Sequence, residues 1–229
     1  MDAISFHSNI SKKFNDHYYN SSLFSERFRV WTYLINKYLN KDNLVLDAGC
    51  GSGIFSFYIA QKGNKVLAVD GSDEMIKLCK KKLSEYKDLD IRFKVEKLPF
   101  NKLLPVEQFD FIISSSVLEY ISDYESCLND FKIQLKTNGI LIVSLPNKES
   151  IYRKLEKIIF RIFKKPDYLR FVKTVSTIQE LNAIMSSKGF ETLENRLYSS
   201  GTYLNKIARY IFIPKRYTSS LFVGVYKKI

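Results

Sequence analysis

The chemistry open to this chain of 229 residues is concentrated in a few glycines and carboxylates. Asp47-Ala48-Gly49-Cys50-Gly51-Ser52-Gly53 joins an apolar β-forming run to a helical one. Glycines there let the chain turn sharply and bring backbone N–H groups against a ligand that a Cβ would exclude. The start of the following helix favours negative charge, such as a ligand carboxylate. Asp70 closes the next apolar run, where a carboxylate accepts hydrogen bonds from both hydroxyls of a ribose. These residues predict an adenosine-type cofactor at the carboxyl ends of parallel strands. Spacing narrows the choice. A dinucleotide fingerprint counted from Gly49 and Gly51 needs a third glycine where Ile54 stands, and no Gly-Lys-[Ser/Thr] loop follows. A phosphate-free cofactor fits better, and a nicotinamide-dependent oxidoreductase does not.

Other reactive side chains are sparse. Cys50, Cys79 and Cys127 are an odd number without Cys-x-x-Cys spacing, so neither a disulfide framework nor a metal site is expected. The two histidines, His7 and His17, both lie in the N-terminal region. The opening residues are not those of a secretory leader, and no apolar run approaches the ~20 residues of a membrane span. A cytoplasmic protein, in peripheral contact with a membrane at most, is the expectation. The formal charge of +12 is uneven. Residues 1–150 hold 20 basic and 19 acidic groups, whereas 151–173 hold 8 against 2 and 201–229 hold 6 against none. Such fields attract anionic partners.

Positioning these residues requires a parallel sheet, and the apolar runs supply one. Strands are predicted at 43–48, 65–70, 91–95, 109–115 and 140–145, the last after an Asn138-Gly139 turn. Helices are predicted at 54–61, at 73–86 with Ser72 as N-cap, at about 124–135, and at 177–188 before Gly189. Two more strands are expected at 190–198 and 220–227. Residues 1–42 read as helical, with an aromatic stripe of Phe24, Phe28 and Trp31. Residues 150–173 and 201–217 interrupt the late alternation. The first of these mixes apolar and basic residues at helical spacing, which suits a membrane surface, a pocket cover or packing on the chain's own core.

The chain resembles the class I S-adenosylmethionine-dependent methyltransferases over residues 44–145. Besides the glycine loop and Asp70, Lys94-Val95-Glu96-Lys97-Leu98-Pro99-Phe100 is similar to the family's Asp-Ala-x-x-Leu-Pro-Phe stretch, with Lys94 in place of the acid. The run from Phe109 to Tyr120 is similar to the fourth-strand motif, commonly ending Leu-Glu-His, and 135–144 to the entry into strand five. Leu145-Pro146-Asn147 looks most like the type-11 branch, which includes enzymes of quinone biosynthesis.

The resemblance implies a Rossmann-like, seven-stranded, mostly parallel sheet of order 3-2-1-4-5-7-6 with helices on both faces. It also implies one domain: a helical lid at 1–42, a cofactor-binding core at 43–149, and substrate-side insertions after strands five and six within 150–229. S-adenosylmethionine would be held by Asp47, Gly49, Cys50, Gly51, Gly53, Asp70, Gly71, Val95 (through its N–H), Glu96 and Ser114. The sulfonium already activates the methyl group, so alignment is the main task, plus a base for an alcohol or phenol acceptor. That base is unassigned. His17 and Tyr120, the latter standing where relatives carry histidine, are the two candidates. Glu119 either joins the site or solvates a helix end. The expected reaction is methylation of oxygen, or next nitrogen, on a small-molecule, lipid or glycan-precursor acceptor. A cofactor-binding pseudo-enzyme is the alternative. Ser114-Ser115-Ser116 lacks the motif of base-amine methylases, which argues against nucleic acid.

Overall fold

The computed structural model describes residues 2–9, 22–102, 104, 108–198 and 213–229. Seven strands form one sheet: β1 (Leu44–Ala48), β2 (Lys65–Asp70), β3 (Ile91–Val95), β4 (Phe109–Ser114), β5 (Leu135–Pro146), β6 (Phe190–Tyr198) and β7 (Leu221–Lys228). Their order is β3-β2-β1-β4-β5-β7-β6, as the resemblance implied. β1 to β5 run parallel to one another, and β7 is antiparallel to both β5 and β6.

The short apolar runs become strands because both sheet faces are covered. Successive strand residues serve opposite faces. Val45, Phe111 and Ile113 join a core with Trp31, Phe55 and Ile76. Their chain neighbours Leu46 and Ile112 join a second core with Leu128, Phe131 and Leu181. The helices divide accordingly. The first core takes α2 (Ser22–Tyr38), α3 (Ile54–Ala60) and α4 (Asp73–Leu83), and the second takes α5 (Tyr124–Gln134) and α7 (Ile178–Ser187). Within the aromatic stripe, Trp31 is fully buried and Phe28 stacks on Phe55 at 6.1 Å. Ser72 caps α4 by accepting the Met75 N–H at 3.2 Å.

Two local differences from the sequence reading have simple causes. Asn138-Gly139 does not precede β5 but lies inside it. Asn138 takes a positive φ of 63°, and pairing jumps from Phe109↔Leu135 to Phe111↔Ile140. The turn chemistry is therefore absorbed as a bulge. The segment after β5 does form a helix, α6 (Ile151–Phe163), with Ser150 as N-cap. No residue of α6 is fully buried, so it does not pack its apolar side on the core. A short helix α1 (Ala3–Asn9) precedes α2, and α8 (Lys215–Thr218) precedes β7. The strand order reverses between β1 and β4, and ligands of open α/β sheets bind in the crevice at such a point.

Candidate active site

A cleft of about 860 Å³ opens at that crevice. Its floor is the loop after β1. Gly49 and Cys50 donate their N–H groups to Val69 O at 2.8 and 2.9 Å, which seats the loop on the end of β2. Glycine is required here for two separate reasons. Gly49 has φ 83°, and a Cβ on it would stand 2.3 Å from Val117 Cγ2. Gly51 has φ 52° and lines the cleft, yet a Cβ on it would meet no protein atom within 4 Å. The first glycine makes room for the chain itself; the second leaves a cradle that only a ligand would fill.

Asp70 frames the cradle. Its Oδ2 accepts the Gly51 N–H at 2.9 Å and its Oδ1 the Ser72 N–H at 2.8 Å. A carboxylate has about four acceptor positions, so vicinal hydroxyls of a ligand can still bind. Burial raises the pKa of Asp70, against the pull of those two N–H groups. Asp47, 2% exposed, accepts the Ser56 hydroxyl at 2.6 Å. Burial first, with the nearby Asp70 charge, pushes Asp47 up to about 7. Gly71 and Glu96 also line the cleft, and the Glu96 N–H donates to Asp70 O at 2.9 Å. Lys94, standing where relatives have an acid, pairs with Glu96 at 2.8 Å.

Three of the sequence candidates stand off the cleft wall. Gly53, φ 75°, turns the chain against Cys79 and Phe57. Val95 is 43% exposed at the end of β3. Ser114 is fully buried and donates to Ala48 O at 2.9 Å, tying β4 to β1 at the order reversal. His17 lies outside the described residues. Tyr120 lines the cleft, and burial raises its pKa so that the phenol keeps its proton.

Beyond the loop, the cleft continues along a wall that sequence reasoning largely missed. Arg27 of α2 donates through Nη2 to Ser115 O and Oγ at 3.0 and 2.7 Å. Arg153 of α6 donates to Ser220 O at 3.2 Å, to Glu156 at 2.9 Å and to Tyr168 OH at 3.0 Å. Glu119 does not solvate a helix end. It is 4% exposed, in a 3₁₀ turn (Leu118–Tyr120), and lines the cleft. Its motif pointed to this position, whereas nothing local identified Arg27 or Arg153 as its neighbours. Among the described residues no cluster suited to a metal is present.

The family profile described as "Methyltransferase domain" matches residues 39–199. Malonyl-[acyl-carrier protein] O-methyltransferase of Hamiltonella defensa is 31% identical over 132 residues, covering 58% of this chain and 48% of that protein. Human mitochondrial ubiquinone biosynthesis O-methyltransferase is 31% identical over 109 residues, covering 47% and 30%. The chain thus spans less than half the length of either relative. The crystal structure of magnesium protoporphyrin IX methyltransferase from Synechocystis, with S-adenosylhomocysteine bound, superposes with a TM-score of 0.66 at 16% identity, covering 100% of this chain and 89% of that one. Since the profile match takes in well over half of the sequence, the chain belongs to the methyltransferase-domain family, and its fold is that of the class I S-adenosylmethionine-dependent methyltransferases.

Proposed function

We propose that this protein moves a methyl group from S-adenosylmethionine to an oxygen of a small-molecule, lipid or glycan-precursor acceptor. The supporting observation is the continuity of the cleft, with the Gly51 cradle and Asp70 at one part and Glu119, Tyr120 and Arg153 at another. The bound cofactor supplies an activated sulfonium methyl group. Asp70 accepts the ribose hydroxyls, and the loop from Asp47 to Gly53 lies under the methionine portion. Gly71 and Glu96 complete that half, with Val95 and Ser114 behind the cleft wall at the ends of β3 and β4. The two relatives above, both O-methyltransferases, favour oxygen over nitrogen.

In this reading the chain works as one domain, with residues 43–149 holding the cofactor and 150–229 shaping the acceptor side. The N-terminal region acts as the lid. In support, Ile4 of α1 abuts Gly71, where an added Cβ would come within 2.7 Å of it, and Ser8 Oγ lies 2.6 Å from Ser72 Oγ. The acceptor side works at an anionic membrane surface, through α6. Ile151, Leu155, Ile158, Ile159 and Ile162 recur at helical spacing and are 45–66% exposed, with Phe163 at 68%. Lys154, Lys157, Arg161, Lys164 and Lys165 accompany them. Apolar and basic residues together suit the interface of an acidic bilayer.

The test is methyl transfer from labelled S-adenosylmethionine into extract of the native host, separated into lipid, glycan, small-molecule, protein and RNA fractions. Label confined to a lipid, glycan or small-molecule fraction, lost in Asp70→Ala, is the expected result. Binding of S-adenosylhomocysteine without any transfer would instead make the chain a cofactor-binding subunit.

A further inference from the structure

Among the described residues, several buried groups along the cleft can hold or move a proton, and they differ in what already occupies them. Asp47 takes the Ser56 hydroxyl, and Asp70 takes two backbone N–H groups at the cradle. The Tyr120 phenol is held protonated by burial, so it cannot take up the acceptor's proton. Tyr168 already donates to Glu156 at 2.8 Å and accepts from Arg153. Glu119 differs: the residue is buried and lines the cleft, and its buried Oε2 has no hydrogen-bond partner. A buried acceptor without a partner is destabilising and calls for an explanation.

We infer that Glu119 is the base of the reaction, its free carboxylate oxygen receiving the proton of the acceptor's hydroxyl. This rests on the methyl-transfer reading above and adds the group it lacked. The backbone of the turn that carries it is held in place, because the Glu119 main-chain carbonyl accepts the N–H groups of Lys173 and Thr174 at 2.7 and 3.1 Å. The charged and titratable groups around it come from three sides. Arg27 of α2 and Arg153 of α6 favour the carboxylate through space, as does its own backbone N–H, and Tyr120 and Tyr168 stand alongside. Burial outweighs these and lifts Glu119 to about 7. A base is most useful when its pKa lies near the working pH. In the step, the acceptor O–H bond breaks toward Glu119, which becomes a neutral carboxylic acid. The oxygen's electron pair bonds the methyl carbon while the carbon–sulfur bond breaks, both its electrons staying on sulfur as a neutral thioether. The proton then passes from Glu119 to water.

The test compares wild type with Glu119→Gln, using as acceptor the extract fraction that wild type labels. Initial rates are followed from pH 5.5 to 9, S-adenosylhomocysteine affinity by calorimetry, and the carboxyl stretch by infrared difference titration. Expected are a loss of about 100-fold or more in rate with product affinity within about twofold of wild type. The wild-type rate should rise through pH 7, with a carboxyl band titrating there that the variant lacks. A Gln variant within about threefold of wild-type rate overturns the assignment, as does an affinity loss that matches the rate loss. A wild type that labels nothing overturns the transfer reading itself, which separates the two failures.

Discussion

Asp47 and Glu119 carry the same physical burden, a carboxyl taken out of water with too few partners to keep its ordinary acidity. Both are held near pH 7, from ordinary values of 3.8 and 4.5. The unfolded chain gives up these protons near pH 4, and the folded chain keeps them until about pH 7. Between those values the folded state binds more protons, so stability falls as pH rises across that window. Across that window each group costs at most about 3–5 kcal/mol, at roughly 1.4 kcal/mol per pH unit. Urea unfolding of the ligand-free protein should therefore show lower stability at pH 8 than at pH 5. Asp47→Asn should flatten that slope and exceed wild type at pH 8; an unchanged slope would refute the burial argument. The two glycines separate folding from binding. Gly51→Ala should weaken S-adenosylhomocysteine binding at least tenfold while costing about 1–2 kcal/mol of stability for its left-handed backbone. Gly49→Ala meets Val117 and should fail mainly by destabilising the fold. The glycine loop and Asp70 were legible because their chemistry is local: residue types that tolerate a turn, followed by an acid at a strand end. Glu119 was only half legible. Its motif placed it after β4, but its burial depends on α2 and α6, which local sequence does not bring together.

At the scale of elements, periodicity identified what would form but not always what it would face. Strands with both faces apolar announced a covered parallel sheet, and Thr177 with Glu180 forms a reciprocal cap at the start of α7. The Asn138-Gly139 pair was readable as a break in direction, whereas its absorption inside β5 depends on register against β4. Helix α6 is the clearest case. Its amphipathic spacing was plain, yet three environments satisfied it, packing on the core being the commonest, and only the fold shows the apolar side turned away from the core. Sedimentation with phosphatidylglycerol vesicles at low salt should pull down the wild-type protein, and phosphatidylcholine vesicles should not. Ile158→Glu with Phe163→Glu should abolish binding, and replacing the flanking lysines should weaken it in a salt-dependent way. Concentration-dependent dimerisation of wild type that the same pair of changes abolishes, without vesicle binding, would assign the surface to a second copy of the chain.

For the whole molecule, the sheet separates two cores, and the site sits beyond the carboxyl ends of its parallel strands, where the strand order reverses. The excess positive charge lies in the chain after β5, outside the parallel half that carries the cradle. In the proposed reading, cofactor binding and surface binding fall to different stretches of sequence, and α6 is where they meet. It sends Arg153 into the cleft and turns isoleucines outward. If α6 seats on a bilayer as proposed, the cleft mouth would lie at the lipid boundary, and a lipophilic acceptor would arrive by lateral diffusion without crossing water. Turnover would then follow the acceptor's mole fraction in the membrane instead of its bulk concentration, and inert lipid would act as a diluent.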